Sequence, residues 1–268
     1  MKASIGRALA ATFLSLALTA PAWAGRSCEP RPLTPQAVER GMALASRTAA
    51  ALDASGARVV VLARAGQDLS QYGLRDSHLG FAYRAPDAQG RPVWRVVHKL
   101  NQCGTAVAAV YRQGLGEFFL DDLWRHEAAW ATLAPEVQER LLPLLADDAR
   151  ATLLHEAPYS LVSYAWGRKY QQSNQWAIET LALAMEPAAA SRERAQAWLQ
   201  FKGYEPTALR LGPLTRLGGR ITSANVAFDD HPNEKRFADR IETVTVDSVF
   251  AWLQRAGLAS APERLALR

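Results

Sequence analysis

The chain has few cysteines, no concentrated run of basic residues and, past its first two dozen positions, no long apolar run. Two cysteines in 268 residues leave no thiol to spare once they pair. The 31 Lys and Arg against 26 Asp and Glu give a net charge of +5. Those cations are interspersed with acids and nowhere form the stripe that tracks phosphates, so nucleic acid is not an expected partner. At 49% hydrophobic and 21% charged residues the chain is not disordered. It shows no internal repeat and no Pro/Ser-rich linker, and one globular body is the default for this length.

The first stretch stands apart. Met1 to Arg7 is short and basic, Ala8 to Thr19 is almost wholly apolar, and Pro21-Ala-Trp-Ala24 has the small-x-small pattern of a cleavage site. This reads as a signal peptide over 1–24, too short in its apolar part to span a membrane stably. Cleavage after Ala24 removes Lys2 and Arg7 and no acid, leaving 244 residues with a charge of +3. No transmembrane segment is expected after cleavage, and a periplasmic location follows.

In an oxidising compartment Cys28 and Cys103 are expected to form a disulfide that ties the mature N-terminus to the centre of the chain. Closing so long a loop is worth on the order of 4 kcal/mol. The competing reading makes Cys103, five residues after His98, a nucleophile.

Periodicity predicts a mixed α+β fold, an antiparallel sheet packed with helices, in one domain over 25–268 with helical insertions and a loop-rich C-terminal part. Thr34-Pro35 starts a helix with Val38, Met42, Ala45, Ala49 and Leu52 on its apolar face, ended by Gly56. Residues 58–63, 77–84 and 92–100 read as strands, the last two joined by a turn at 86–90, with a further strand at 105–113. Residues 117–156 read as helices with Trp124, Trp130, Val137, Leu141, Leu144 and Leu153 in the core. Residues 159–164 read as a strand, and 173–185 and 191–201 as helices. Residues 204–245 read as loops with short strands, and Asp247 as the cap of a last helix.

The chemistry concentrates in two imidazoles. His78 stands at the mouth of a strand in Ser77-His-Leu-Gly-Phe81, where Gly80 lets another group approach closely. His98 ends the apolar lead-in of the next strand, Trp94-Arg-Val-Val-His98. On paired strands one histidine can act as a base and the other can fix its tautomer, although a buried, hydrogen-bonded core histidine would read the same. Ser173, at a helix start in Gln172-Ser-Asn174, is either a nucleophile or an N-cap. Gln172 and Asn174 are candidates for holding an oxyanion or orienting a histidine. Asp229, Asp230 and His231 sit beside a Pro-Asn turn and do not converge readily on one ion, so no metal and no cofactor is expected. Asp121-Asp122 reads as a helix opening, His126-Glu127 and His155-Glu156 as helix surface, and Gly114-Leu-Gly116 and Gly218-Gly219 as turns.

Residues 77–83, 94–105, 114–122, 172–181 and 225–247 resemble an uncharacterised family of exported proteobacterial proteins, domain of unknown function 2145, from about Cys28 to the end. That resemblance implies no activity. Ser77-His-Leu-Gly-Phe81 and Val96-Val-His-Lys99 also resemble the His strand and polar-partner strand of the NlpC/P60 papain-like superfamily. The later helix start at Ser173 is similar to its circularly permuted branch, in which a Cys heads that helix; here Ser173 or Asn174 stands in its place. The resemblance implies a hydrolase or acyltransferase acting on an envelope amide or ester, with His78 as base, His98 as orienter and Ser173 as nucleophile. The alternative is a catalytically inactive relative that binds a peptide, glycan or protein partner in the periplasm.

Overall fold

A computed structural model describes residues 32–267. The expected signal peptide and Cys28 lie outside the described residues. Helix α1 (Pro35–Ala54) opens the described chain, with the Thr34 hydroxyl accepting from Ala37 N. Its buried face is Gly41, Leu44, Ala45, Thr48 and Leu52, while Val38 and Met42 are exposed, a rotation from the expected face. The cause is a close approach at Gly41, where a Cβ would lie 2.9 Å from the Phe119 carbonyl oxygen.

Strands β1 (Val59–Ala65), β2 (His78–Pro86), β3 (Pro92–Asn101) and β4 (Ala108–Gly114) follow as an antiparallel meander. The Asp87 carboxylate accepts from Gln89 N and Arg91 N and closes the β2–β3 turn. After the short helix α2 (Leu115–Phe119), strand β5 (Arg125–Thr132) returns to the open edge of β1. Helices α3 (Pro135–Ala146), α4 (Asp148–Ala151), α5 (Ser173–Met185) and α6 (Arg192–Phe201) come next. The remaining elements are β6 (Thr207–Arg210), α7 (Pro213–Thr222), α8 (Asn233–Phe237), β7 (Arg240–Thr243), α9 (Val246–Arg255) and β8 (Glu263–Ala266). The main sheet runs β4-β3-β2-β1-β5-β8, and β6 and β7 form a separate pair.

Both faces of the main sheet are covered. Val59, Val61, Leu79, Phe81 and Val97 face one core, shared with Leu141 and Leu144 of α3, Trp176 and Leu181 of α5, Leu199 of α6 and Trp252 of α9. Val60, Leu62, Ala82, Trp94 and Val96 face a second, closed by Leu44 and Leu52 of α1 and by Phe118 and Phe119 of α2. Double burial is why β1 reads as an apolar run from Val59 to Ala63 with no alternation.

Several expectations are corrected. Within 117–156, residues 125–132 are a strand, because pairing with β1 overrides the helical propensity of its alanines. Trp124 and Leu153 are exposed, outside the core. Residues 159–164 form no strand; they are held by side chains of α5. The stretch 204–245 contains helices α7 and α8, with Gly218 and Gly219 inside α7 and not at a turn. The last helix is capped by Thr245, whose hydroxyl accepts from Ser248 N, with Asp247 in its first turn. Asp121 and Asp122 follow α2 and do not open a helix, His126 and Glu127 lie on β5, and His155 lies in a loop.

Candidate active site

Arg64 of β1 pairs with His78 of β2 in the sheet register, and β3 lies on the other side of β2. Gly80 lets His98 lie against β2: a Cβ there would be 2.7 Å from His98 Cβ and 2.8 Å from the Val97 carbonyl oxygen. The close approach read from Ser-His-Leu-Gly is therefore made by the second histidine itself.

The two imidazoles are in direct contact, with His78 Nε2 2.8 Å from His98 Nδ1. His98 Nε2 lies 2.8 Å from Gln113 Oε1 on β4. An amide oxygen only accepts, so His98 carries its proton on Nε2 and presents an unprotonated Nδ1. His78 must then donate through Nε2, which leaves its Nδ1 lone pair as the basic end of the chain. Gln113 lies on the sheet face of His98, two residues along β4 from His98's register partner Tyr111, a diagonal placement that sequence spacing does not reveal.

The surroundings favour neutral imidazoles. Burial, then the Arg64 guanidinium, then His98 hold the His78 pKa well below its ordinary 6.5. Burial, then Arg64, lower His98 to about 4, with the Gln113 bond and Asp121 acting the other way. The Arg64 guanidinium carbon sits 4.6 Å from the Phe118 ring centre, and its Nη2 donates to Asp121 Oδ2 at 2.6 Å. The Phe118 ring packs against both imidazoles, at 5.2 Å from His98 and 6.0 Å from His78.

Helix α5 approaches from the opposite face of the sheet. Its N-cap is Gln172, whose Oε1 accepts from Asn174 N at 2.9 Å, so Ser173 is the first helical residue and not the cap. The Gln172 amide also donates to Thr243 Oγ1 and to the Val244 carbonyl. Asn174 accepts from Leu79 N at 3.1 Å and donates to the Val244 carbonyl at 3.2 Å. Both candidate orienting amides thus tie the head of α5 to β2 and to the segment before α9. Ser173 reaches neither histidine by a hydrogen bond; it lies beside the Tyr159 phenol. Burial raises the Tyr159 pKa, and the polar groups of Ser173 oppose it.

His78, Ser173, Asn174 and Tyr159 nevertheless line one cavity of about 330 Å³ at the end of the sheet. Arg64 and Asp121 line the same end, while Leu69, Leu74, Val162, Leu209 and Phe228 make much of the rest apolar. Sequence reasoning missed Tyr159, Gln113, Arg64 and Asp121. For Arg64 a signal existed, a lone charge inside a β-branched strand.

Cys103 is exposed in the turn between β3 and β4, and both ring nitrogens of His98 are taken, so no Cys103–His98 thiol centre forms. Asp229 turns to Lys169, and Asp230 to His231 and Tyr164 N. Among the described residues no group of three His, Cys, Asp or Glu side chains is placed to hold a metal ion.

A family model described as an uncharacterized protein conserved in bacteria, DUF2145, matches residues 51–253. The chain belongs to this family. The match covers β1 to all but the last residues of α9, and so every residue of the DUF2145 site described above. Comparison with curated proteins and with solved structures yields no match.

Proposed function

We propose that this DUF2145 protein is an exported, periplasmic hydrolase or acyltransferase that cleaves an envelope amide or ester bond. The observation that carries the reading is the hydrogen-bonded series His78–His98–Gln113 ending at a cavity that Ser173 also lines. In the proposed reaction the Ser173 hydroxyl turns toward an acyl group in the cavity and attacks its carbonyl carbon. Its proton passes to His78 Nδ1, and the carbonyl π electrons move onto oxygen. Collapse breaks the carbonyl–N or carbonyl–O bond, and the leaving group takes the proton from His78. Water or a second acceptor then releases the acyl group from Ser173 by the reverse proton path. Tyr159, which lies beside Ser173 and whose pKa burial raises, keeps its own proton to donate to the oxyanion. The order of His strand, polar-partner strand and later serine helix resembles the permuted papain-like arrangement and supports the same reading.

Labelling with a serine-reactive fluorophosphonate is the direct test. The expected result is one adduct on Ser173, lost in Ser173→Ala and slowed about 10²–10⁴-fold in His78→Ala. Tyr159→Phe is expected to slow it by about 10²-fold. Folded protein that takes no label sinks the enzyme reading.

A second reading has its own observation. Ser173 is hydrogen-bonded to neither histidine, as expected if the cavity only binds a peptide, glycan or protein partner. Absence of label together with retained ligand binding in Ser173→Ala would favour it. The pairing of Cys28 with Cys103 belongs to the same proposal of export; thiol titration of the denatured, unreduced protein should find none.

A further inference from the structure

Helix α7 is amphipathic in the reverse sense. A surface helix of a globular protein ordinarily turns its apolar stripe to the core and its polar side to water. In α7, Thr215 and Gly219 line the cavity, while Leu214, Leu217 and Ile221 are 84%, 55% and 74% exposed. Spacings of three and four residues put these three on one outward face, and no residue of the helix is buried. Gly219 permits this seat, since a Cβ there would already be 3.2 Å from Val226 Cγ1. The mouth carries a fourth apolar group, Leu161, which is 39% exposed and is tied by its N–H to the Asn225 carbonyl just past α7.

Helix α7 and its flanking segments carry charge of one sign. Between Glu205 and Asp229 the chain carries Arg210, Arg216 and Arg220 and no acid. Arg216 is engaged by Asp239, while Arg210 and Arg220 are exposed, with Arg220 beside the apolar stripe. An outward apolar stripe edged by arginine suits an interfacial helix lying on an anionic bilayer. It suits a water-facing surface poorly, because a patch of this kind marks a contact. The cavity behind α7 is polar at His78, Ser173 and Tyr159 and apolar through Leu74, Leu209 and Phe228.

We infer that α7 docks on an anionic lipid surface and that the cavity takes its substrate from there, an amphiphile whose ester or amide meets Ser173 while its acyl chain lies along the apolar wall. The substrate class rests on the hydrolase or acyltransferase reading; the docking surface does not.

Flotation with lipid vesicles tests the docking. Protein recovered after expression in a bacterium is mixed with phosphatidylglycerol-rich vesicles or with phosphatidylcholine vesicles. The expected result is binding to the anionic vesicles, reduced about tenfold or more by the combined Leu214→Ser, Leu217→Ser and Ile221→Ser substitutions. Arg220→Glu and added salt should also weaken it. Ser173→Ala should bind as the wild type does, so failed turnover and failed docking are separable. The three side chains are exposed, so the triple variant should keep the wild-type melting temperature, which serves as the folding control. Equal binding by the triple variant, or no binding to either vesicle, overturns the proposal. So does a lipid-free dimer, seen by sedimentation, that the triple variant abolishes.

Discussion

At the scale of single residues, Gly80 and the two histidines form one unit. Gly80→Ala would put a methyl 2.7 Å from His98 Cβ, between two backbones that cannot part without breaking the β2–β3 ladder. A loss of about 1–3 kcal/mol is expected, read by urea unfolding. The histidines also make stability depend on pH. In the unfolded chain they take up protons below their ordinary 6.5, whereas the native state resists until about pH 4 at His98 and well below 6.5 at His78. The unfolded state therefore binds more protons across that window, and the stabilisation is complete above pH 6.5 and lost on acidification toward pH 4. The His98 part is of order 3 kcal/mol. Unfolding midpoints between pH 4 and 7 should show the slope, and His98→Gln should flatten it. Ser-His-Leu-Gly is legible in one dimension because both the imidazole and the missing Cβ are local facts. Gln113 and Tyr159 are not, because they meet the site only through strand register and through a loop folded against α5.

At the scale of elements, α5 shows what periodicity can and cannot say. It reads as a helix from propensity, and it is one. Its apolar face does not reveal that all residues from Ser173 to Ala184 are buried. Gln175 and Glu179 are buried with their polar groups paired to neighbouring backbone and side chains. Gln175 donates to the carbonyls of Tyr164 and Ala165. Glu179 accepts from Gln171, Gln196 and Arg192. Arg192 in turn donates to the carbonyls of Gly167, Arg168 and Tyr170. The segment leading into Ser173 hangs on this network, and Lys99, pushed down to about 7 by burial and then by Arg192, joins it through Gln171. Removing one partner leaves a buried charge uncompensated, so Glu179→Ala is expected to cost about 3–5 kcal/mol in thermal or chemical unfolding. Fluorophosphonate labelling should also fall as the segment before Ser173 loosens. Strand β5 makes the complementary point: Ala128 to Ala131 would suit a helix, and pairing with the open edge of β1 and with β8 makes them a strand.

At the scale of the whole molecule, the sheet with helices on both faces sets what lies beside what. His78 and His98 belong to the α1–α2 side and Ser173 to the α5 side, and His78 and Ser173 line one cavity because it lies at the end of the sheet. The expected link from Cys28 to Cys103 would tie the chain's beginning to the turn between β3 and β4. Reduction should then lower global stability by about 4 kcal/mol, measured by unfolding with and without reductant. If stability is unchanged and free thiols are present beforehand, that link does not exist.

Local physics alone determined the helix start at Thr34-Pro35, the β2–β3 hairpin, the helix at Ser173, the mixed α+β class and the two imidazoles on adjoining strands. Propensity, capping and close-approach glycine act over a few residues and leave their mark in a single line of sequence. Tertiary structure decided the rest. It paired His98 with Gln113, set Ser173 beside Tyr159, made Gln172 the cap, turned 125–132 into a strand and turned the apolar side of α7 outward. Each of these depends on groups distant in sequence competing for one hydrogen bond, one sheet edge or one surface, and such competition is resolved only when the chain has folded.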